Sequence, residues 1–154
     1  DSFRITVAEG RNGFASADEL IEKEILDACD PKTDAEYVKC FGMSLSTGTW
    51  TDNAEVLLRD GTAPLKELIA TREDVYEYLL DHGIEREKAF EIAEYVRKGK
   101  ANSRGWKDGM LETMQAAGIP EWYVHSCEKV RYLFPRAHVL AYYRKYVRKK
   151  GEIS

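Results

Sequence analysis

TREDVYEYLLDHG, residues 71–83, and IEREKAFEIAEYVRKG, residues 84–99, decide the fold class by their spacing. Thr71 followed by Asp74 has the form of a capping box, in which two side chains satisfy the first free amides of a helix. Val75, Tyr78 and Leu79 then recur at the helical period, and Gly83 supplies the stop. The second stretch predicts a helix over 85–98, with Ala89, Phe90, Ile92, Ala93 and Val96 facing inward and Gly99 ending it. Strand alternation would need apolar residues at every second position, and neither stretch has them.

The same signals extend in both directions. Ser16 is placed to cap a helix with Leu20, Ile21, Ile25 and Leu26 as its stripe, and Thr33 with Glu36 forms another capping box. Residues 42–53 read as a Ser/Thr/Gly-rich loop holding Trp50. A short helix over 54–58 closes at Asp60-Gly61, and Thr62 caps a turn with Pro64 at its start. After Gly99 a basic loop is expected, then a helix from Arg104 to Ala117 ended by Gly118. A helix over 120–133 starts at Pro120, Pro135 interrupts, and a last helix runs toward Lys150. Only Phe3 to Ala8 alternates weakly, as one short strand would. The expectation is a mostly α, compact multi-helix domain with at most one short N-terminal strand or hairpin.

Length and composition agree. The chain has 154 residues, 44% hydrophobic and 32% charged, enough for one domain with a core of its own. No apolar run approaches the ~18 residues of a membrane span. Asp1-Ser2-Phe3-Arg4 lacks the basic and apolar regions of a signal peptide, and the missing initiator Met reads as a processed or trimmed chain. Cys29, Cys40 and Cys127 are far apart in sequence and form no CxxC pair, which suits a reduced, cytoplasmic setting. His82, His125 and His138 lack metal-ligand spacing. There is no Asp-x-Asp pair of the kind that holds ions in two-metal nucleotidyl transfer.

Charge is unevenly placed. Residues 1–96 hold 10 Lys and Arg against 22 Asp and Glu, whereas residues 97–154 hold 13 against 5. A basic tract with aromatics can follow a phosphate backbone. A solvated helix face, or two halves attracting each other, gives the same numbers. Within the basic half, Arg97, Lys98 and Lys100 flank Gly99 as a phosphate clamp would, with Arg104 and Lys107 just beyond. Cations at a helix C-terminus are also favoured by the helix dipole. Pro135 leaves Phe134, Arg136 and His138 around a bend, where an aromatic, a cation and an imidazole can meet a base and a phosphate. Tyr142 to Lys150 suits a nucleic-acid contact as well as it suits an exposed terminal helix. The segment 80–84 has a faint helix-hairpin-helix pattern but lacks its second Gly. A non-enzymatic helical nucleic-acid-binding or structural module therefore remains open.

Residues 120–138, PEWYVHSCEKVRYLFPRAH, closely resemble the PolC-type DNA polymerase III alpha subunit, the replicative polymerase of low-GC Gram-positive bacteria. That family reads Pro-Glu-Trp-Tyr, Ser-Cys, then a basic and aromatic stretch into Phe-Pro-Lys-Ala-His. Upstream, residues 58–62, Leu65, Glu67, Ile69, Arg72, Asp74, Tyr78, Leu79, Gly83 and residues 89–90 into 96–100 also fit. The loop carrying Gly42, Ser44, Thr47, Trp50 and Asn53-Ala54 corresponds to a family loop. The resemblance covers roughly residues 20–142, with 1–19 a non-matching segment ahead of a helical, fingers-like domain over 20–154. It implies the fingers region, which binds the incoming deoxynucleotide triphosphate and the template of primer–template DNA. Carried over, Arg97, Lys98 and Lys100 hold the triphosphate, and Phe134, Arg136 and His138 line the pocket. Arg104, Lys107, Tyr142 and Arg148 are candidates for DNA contact. The magnesium-binding aspartates belong to the family's palm, so catalysis needs the palm and thumb, and this segment alone is expected to be inactive. Leu45-Ser46 stands where the family usually has His-Gly. Arg144, Lys145 and Lys149 stand where it has apolar residues, which points to a stand-alone piece.

Overall fold

A computed structural model describes residues 17–153. The possible strand at Phe3–Ala8, the Ser16 cap and most of the non-matching segment lie outside them. Among the described residues there are nine α-helices: α1 (Ala17–Cys29), α2 (Asp34–Leu45), α3 (Glu55–Arg59), α4 (Arg72–Asp81), α5 (Arg86–Arg97), α6 (Lys100–Arg104), α7 (Met110–Ala116), α8 (Glu121–Lys129) and α9 (Arg136–Ile153). A π turn, Trp50–Ala54, precedes α3, and a 3-10 turn, Leu65–Glu67, precedes α4. The one β-type pairing described is an isolated antiparallel bridge between Thr47 and Tyr132.

The capping signals are met at α2 and α4. Thr33 Oγ1 accepts from the Glu36 amide at 3.2 Å, and the Glu36 carboxylate accepts from the Lys32 amide at 2.7 Å. The Asp74 carboxylate accepts from the Ala70 and Thr71 amides at 2.9 and 2.8 Å. Its other oxygen meets Lys39 of α2 at 3.2 Å and Arg136 of α9 at 3.1 Å, so one carboxylate joins three helices.

Three apolar clusters form the interior. Val75, Leu79, Ile92, Val96, Met114, Tyr123 and Leu133 make the first, with Tyr78 stacked on Tyr123 at 3.7 Å between ring centroids. Ile25, Cys40, Met43, Trp50, Leu68 and Ala70 make the second. Val38, Phe41 and Val139 make the third, where Tyr37, Tyr142, Tyr143 and Tyr146 pack α9 onto α2. The α1–α2 hairpin also brings Cys29 and Cys40 into thiol–thiol contact, although eleven positions separate them in the chain. That bond and burial push the Cys40 thiol up.

Five sequence expectations change. Helix α2 continues through Gly42, which is buried where a Cβ would press on Ala70, so the loop begins only after Leu45. The basic segment after Gly99 is the helix α6 rather than a loop, and the single helix expected over 104–117 is split by residues 105–109. Gly105 and Gly109, both at positive φ, make that break. Helix α8 stops at Lys129, leaving 130–135 extended. Phe90, expected inward, is 53% exposed and lies edge-on to Tyr76. Arg144, Lys145 and Lys149 are all exposed on α9.

Candidate functional site

The extended segment from Val130 to Pro135 is the centre of the site, and two glycines make room for it. A Cβ on Gly48 would overlap the carbonyl of Lys129, and one on Gly99 would overlap the carbonyl of Arg131. Both glycines have positive φ, at 77° and 76°, so no larger residue fits there without strain. The segment is hydrogen-bonded on both sides. Arg131 N and Tyr132 N donate to Thr47 O at 2.9 and 3.2 Å, and Leu133 N donates to Arg97 O at 3.1 Å. Phe134 N donates to Ser46 Oγ at 3.1 Å, while that hydroxyl donates to Ala70 O at 2.9 Å. Beneath the 48–53 loop, Asn53 and Ser126 exchange two hydrogen bonds and lock the loop to α8.

This framework sets four side chains in a row. The Arg97 guanidinium lies 5.6 Å from the centroid of the Tyr132 ring. Tyr132 meets Phe134 edge-on at 5.1 Å, and Phe134 meets His138 edge-on at 4.6 Å. Arg97, Phe134 and His138 thus lie in one row. Tyr132, 38% exposed, is the ring that connects them. Sequence reasoning passed over it as a site residue, although it lies two positions before Phe134 in the same segment. Lys98 and Lys100 flank Gly99 beside Arg131. None of these three cations has a side-chain partner among the described residues, so their charge is open to a ligand.

Other candidates are engaged within the protein. Arg97 Nε lies 3.3 Å from both oxygens of Glu94, and its Nη1 donates to Tyr132 Oη at 3.2 Å. Glu94 also meets Arg72 at 3.3 Å, and Arg72 meets Glu73 at 2.9 Å. Glu73 in turn accepts from the Arg136 amide at 2.8 Å, at the first turn of α9, where a carboxylate suits the helix dipole. Burial pushes the Glu73 carboxyl up, but its bonds to the Arg136 amide and to Arg72 hold it below its ordinary range. The Arg136 guanidinium reaches Glu77 at 3.0 Å and Asp74 at 3.1 Å, and bonding to Glu77 raises its pKa further.

The DNA-contact candidates divide. Arg104 and Lys107 are exposed around the loop after α6, which Trp106 anchors by donating to Glu128 at 2.7 Å. Tyr142 instead packs on Phe41 and donates to Glu22 of α1 at 2.6 Å, so it serves the helix interface. Burial and that bond raise its pKa. Arg148 is exposed further along α9, apart from the Arg97–His138 row. A cavity of about 770 Å³ lies between α2, the Leu65–Glu67 turn and α9, and among its lining residues Arg136 is the one site candidate. Its volume does not mark the site, because it lacks the row of cation and rings.

Among the described residues the domain is all-helical, with a row of one cation and three rings over a turn pinned by two glycines. By sequence, the chain is homologous to one segment of DNA polymerase III of the PolC type. It is 40% identical over 120 residues to that protein of Caldanaerobacter subterraneus subsp. tengcongensis, covering 78% of this chain and 8% of the relative. It is 36% identical over 142 residues to that of Pediococcus pentosaceus, covering 92% and 10%. Against Staphylococcus aureus the figures are 39% over 133 residues, 86% and 9%. The chain therefore spans about a tenth of the length of the curated relatives it matches. No family model matches it.

Proposed function

We propose that this chain is the fingers-type part of a bacterial replicative DNA polymerase. In that reading it binds the triphosphate of the incoming deoxynucleotide and the template strand of primer–template DNA, in the cytoplasm. The observation that carries it is the row Arg97, Tyr132, Phe134, His138, set beside Lys98, Lys100 and Arg131, which have no side-chain partner among the described residues. Cations answer the phosphates and rings answer a base, without covalent chemistry by the protein. Arg104, Lys107 and Arg148 follow the DNA backbone. Arg136 acts from behind, holding the turn to α4, and Tyr142 holds α9 in place.

The enzyme class of the relatives, nucleotidyl transfer, comes to this chain only as part of a larger assembly with palm and thumb. Among the described residues no three His, Cys, Asp or Glu converge on a point where an ion could sit. They do not fit the magnesium of such a polymerase. No helix among them is long and apolar enough to cross a membrane.

The test is a tryptophan fluorescence titration, with Trp50, Trp106 and Trp122 as the reporters. Deoxynucleoside triphosphate, monophosphate and primer–template DNA are each added at low and moderate salt. Saturable quenching that favours triphosphate over monophosphate is expected. A response to DNA alone, without that preference, would replace this reading with a non-enzymatic nucleic-acid-binding module. The exposed Arg144, Lys145, Arg148 and Lys149 of α9 would carry that activity.

A further inference from the structure

We propose that Glu94 is the positioning residue of the phosphate site: it holds Arg97 over Tyr132 in the empty protein and releases it to an incoming polyphosphate. This rests on the reading of the site given above. The geometry is a fork. Glu94 accepts from Arg97 through both oxygens and from Arg72 through one of them, all at 3.3 Å. The side chains of Arg97, Glu94 and Arg72 are only 18, 20 and 30% exposed. A carboxylate so enclosed is costly to leave without a cation. Arg72 removes that obstacle. When Arg97 departs, Glu94 keeps Arg72, which Glu73 holds from the other side at 2.9 Å.

The movement is confined to one side chain. The Arg97 carbonyl stays bonded to Leu133 N, so the turn does not have to shift. The guanidinium needs only to exchange carboxylate oxygens for phosphate oxygens of similar hydrogen-bonding geometry. Any ligand that needs Arg97 must first compete with Glu94. Its apparent affinity is therefore lowered by the fraction of molecules in which Arg97 is free. The factor applies to every phosphate ligand of the site and to none that contacts the rings alone.

Calorimetric titration of the chain and of Glu94→Gln tests this with three probes: deoxyadenosine triphosphate, inorganic tripolyphosphate and deoxyadenosine. Glu91→Gln is the control, because it removes the same charge from the same helix but from a residue that meets Lys88. Glu94→Gln should bind both phosphate probes about tenfold tighter, and the nucleoside unchanged. Glu91→Gln should stay within about twofold of the parent on all three. Equal effects from the two variants, or weaker phosphate binding by Glu94→Gln with its helical circular dichroism intact, would overturn the proposal. If the parent binds phosphates and Glu94→Gln changes nothing, only the role of Glu94 falls. If neither binds either phosphate probe, the nucleotide site itself falls and this role with it. Should Glu94→Gln not fold, nitrogen NMR of the parent decides. On saturation with tripolyphosphate the Arg97 Nε–H signal should move while that of Arg72 stays, and any other pattern refutes the exchange.

Discussion

Two arginines at the site differ in what their guanidinium groups face. Arg97 lies at the end of the ring row and has an exchangeable partner, whereas Arg136 is clasped by Glu77 and Asp74 of α4. Arg97→Ala should therefore weaken triphosphate binding roughly 10- to 100-fold, the scale of charge-assisted hydrogen bonds, with little loss of thermal stability. Arg136→Ala should do the reverse, lowering Tm by several degrees and weakening binding less; titration and thermal melts on the same samples check both. Glu73 adds a pH signature. Its carboxyl is held below its unfolded value, so the stability it contributes is present above the unfolded pKa and is lost as pH falls through the folded one. Glu73→Gln should consequently flatten the fall in stability between about pH 5 and pH 3, measured by urea unfolding at each pH.

Between residues and molecule, the elements show where the sequence was readable and where it was not. The boxes Thr33–Glu36 and Thr71–Asp74 placed two helix starts, because a cap is a local arrangement whose partners lie within four positions. Phe134 and His138 were legible as a pair for the same reason, one turn apart across Pro135. Glu94 was not, because it read as one more solvated carboxylate on an amphipathic helix until the fold set Arg72, twenty-two positions away, on its other side. The break at Gly105–Gly109 was missed because a single helix also accommodates the apolar residues around it, and only the backbone angles at the glycines show otherwise. Glycine context gives a prediction at this scale. Gly99→Ala combines positive φ with overlap on Arg131, whereas Gly83→Ala has positive φ of 90° and open space. The first should cost more than about 2 kcal/mol and abolish triphosphate binding, the second only about 1 kcal/mol with binding kept; chemical denaturation and titration distinguish them.

Over the whole molecule, the uneven charge is partly internal and partly outward. Acidic residues of the first half meet the second half at Glu22–Tyr142, Asp34–Tyr143 and Glu77–Arg136, so some of the asymmetry holds the helices together. Lys98, Lys100, Arg104, Lys107 and Arg131 have no such partners among the described residues. DNA binding should therefore weaken linearly in log affinity against log salt. Each of Arg104, Lys107 and Arg148 changed to Ala should reduce the slope by about 0.7 on single-stranded template. Fluorescence titration across a salt series measures it, and Lys145→Ala, distant from the ring row, should leave the triphosphate affinity unchanged.

The bridge between Thr47 and Tyr132 joins positions eighty-five residues apart. Loop closure over such a distance is entropically demanding and comes late in folding. On a ribosome the chain would emerge with α1 to α5 able to pack while the segment completing the turn was still being made. The row of Arg97 and the three rings thus comes into being only with the last third of the chain. An unfinished product would hold Arg97, Lys98 and Lys100 but not the rings of Tyr132 and Phe134 beside them.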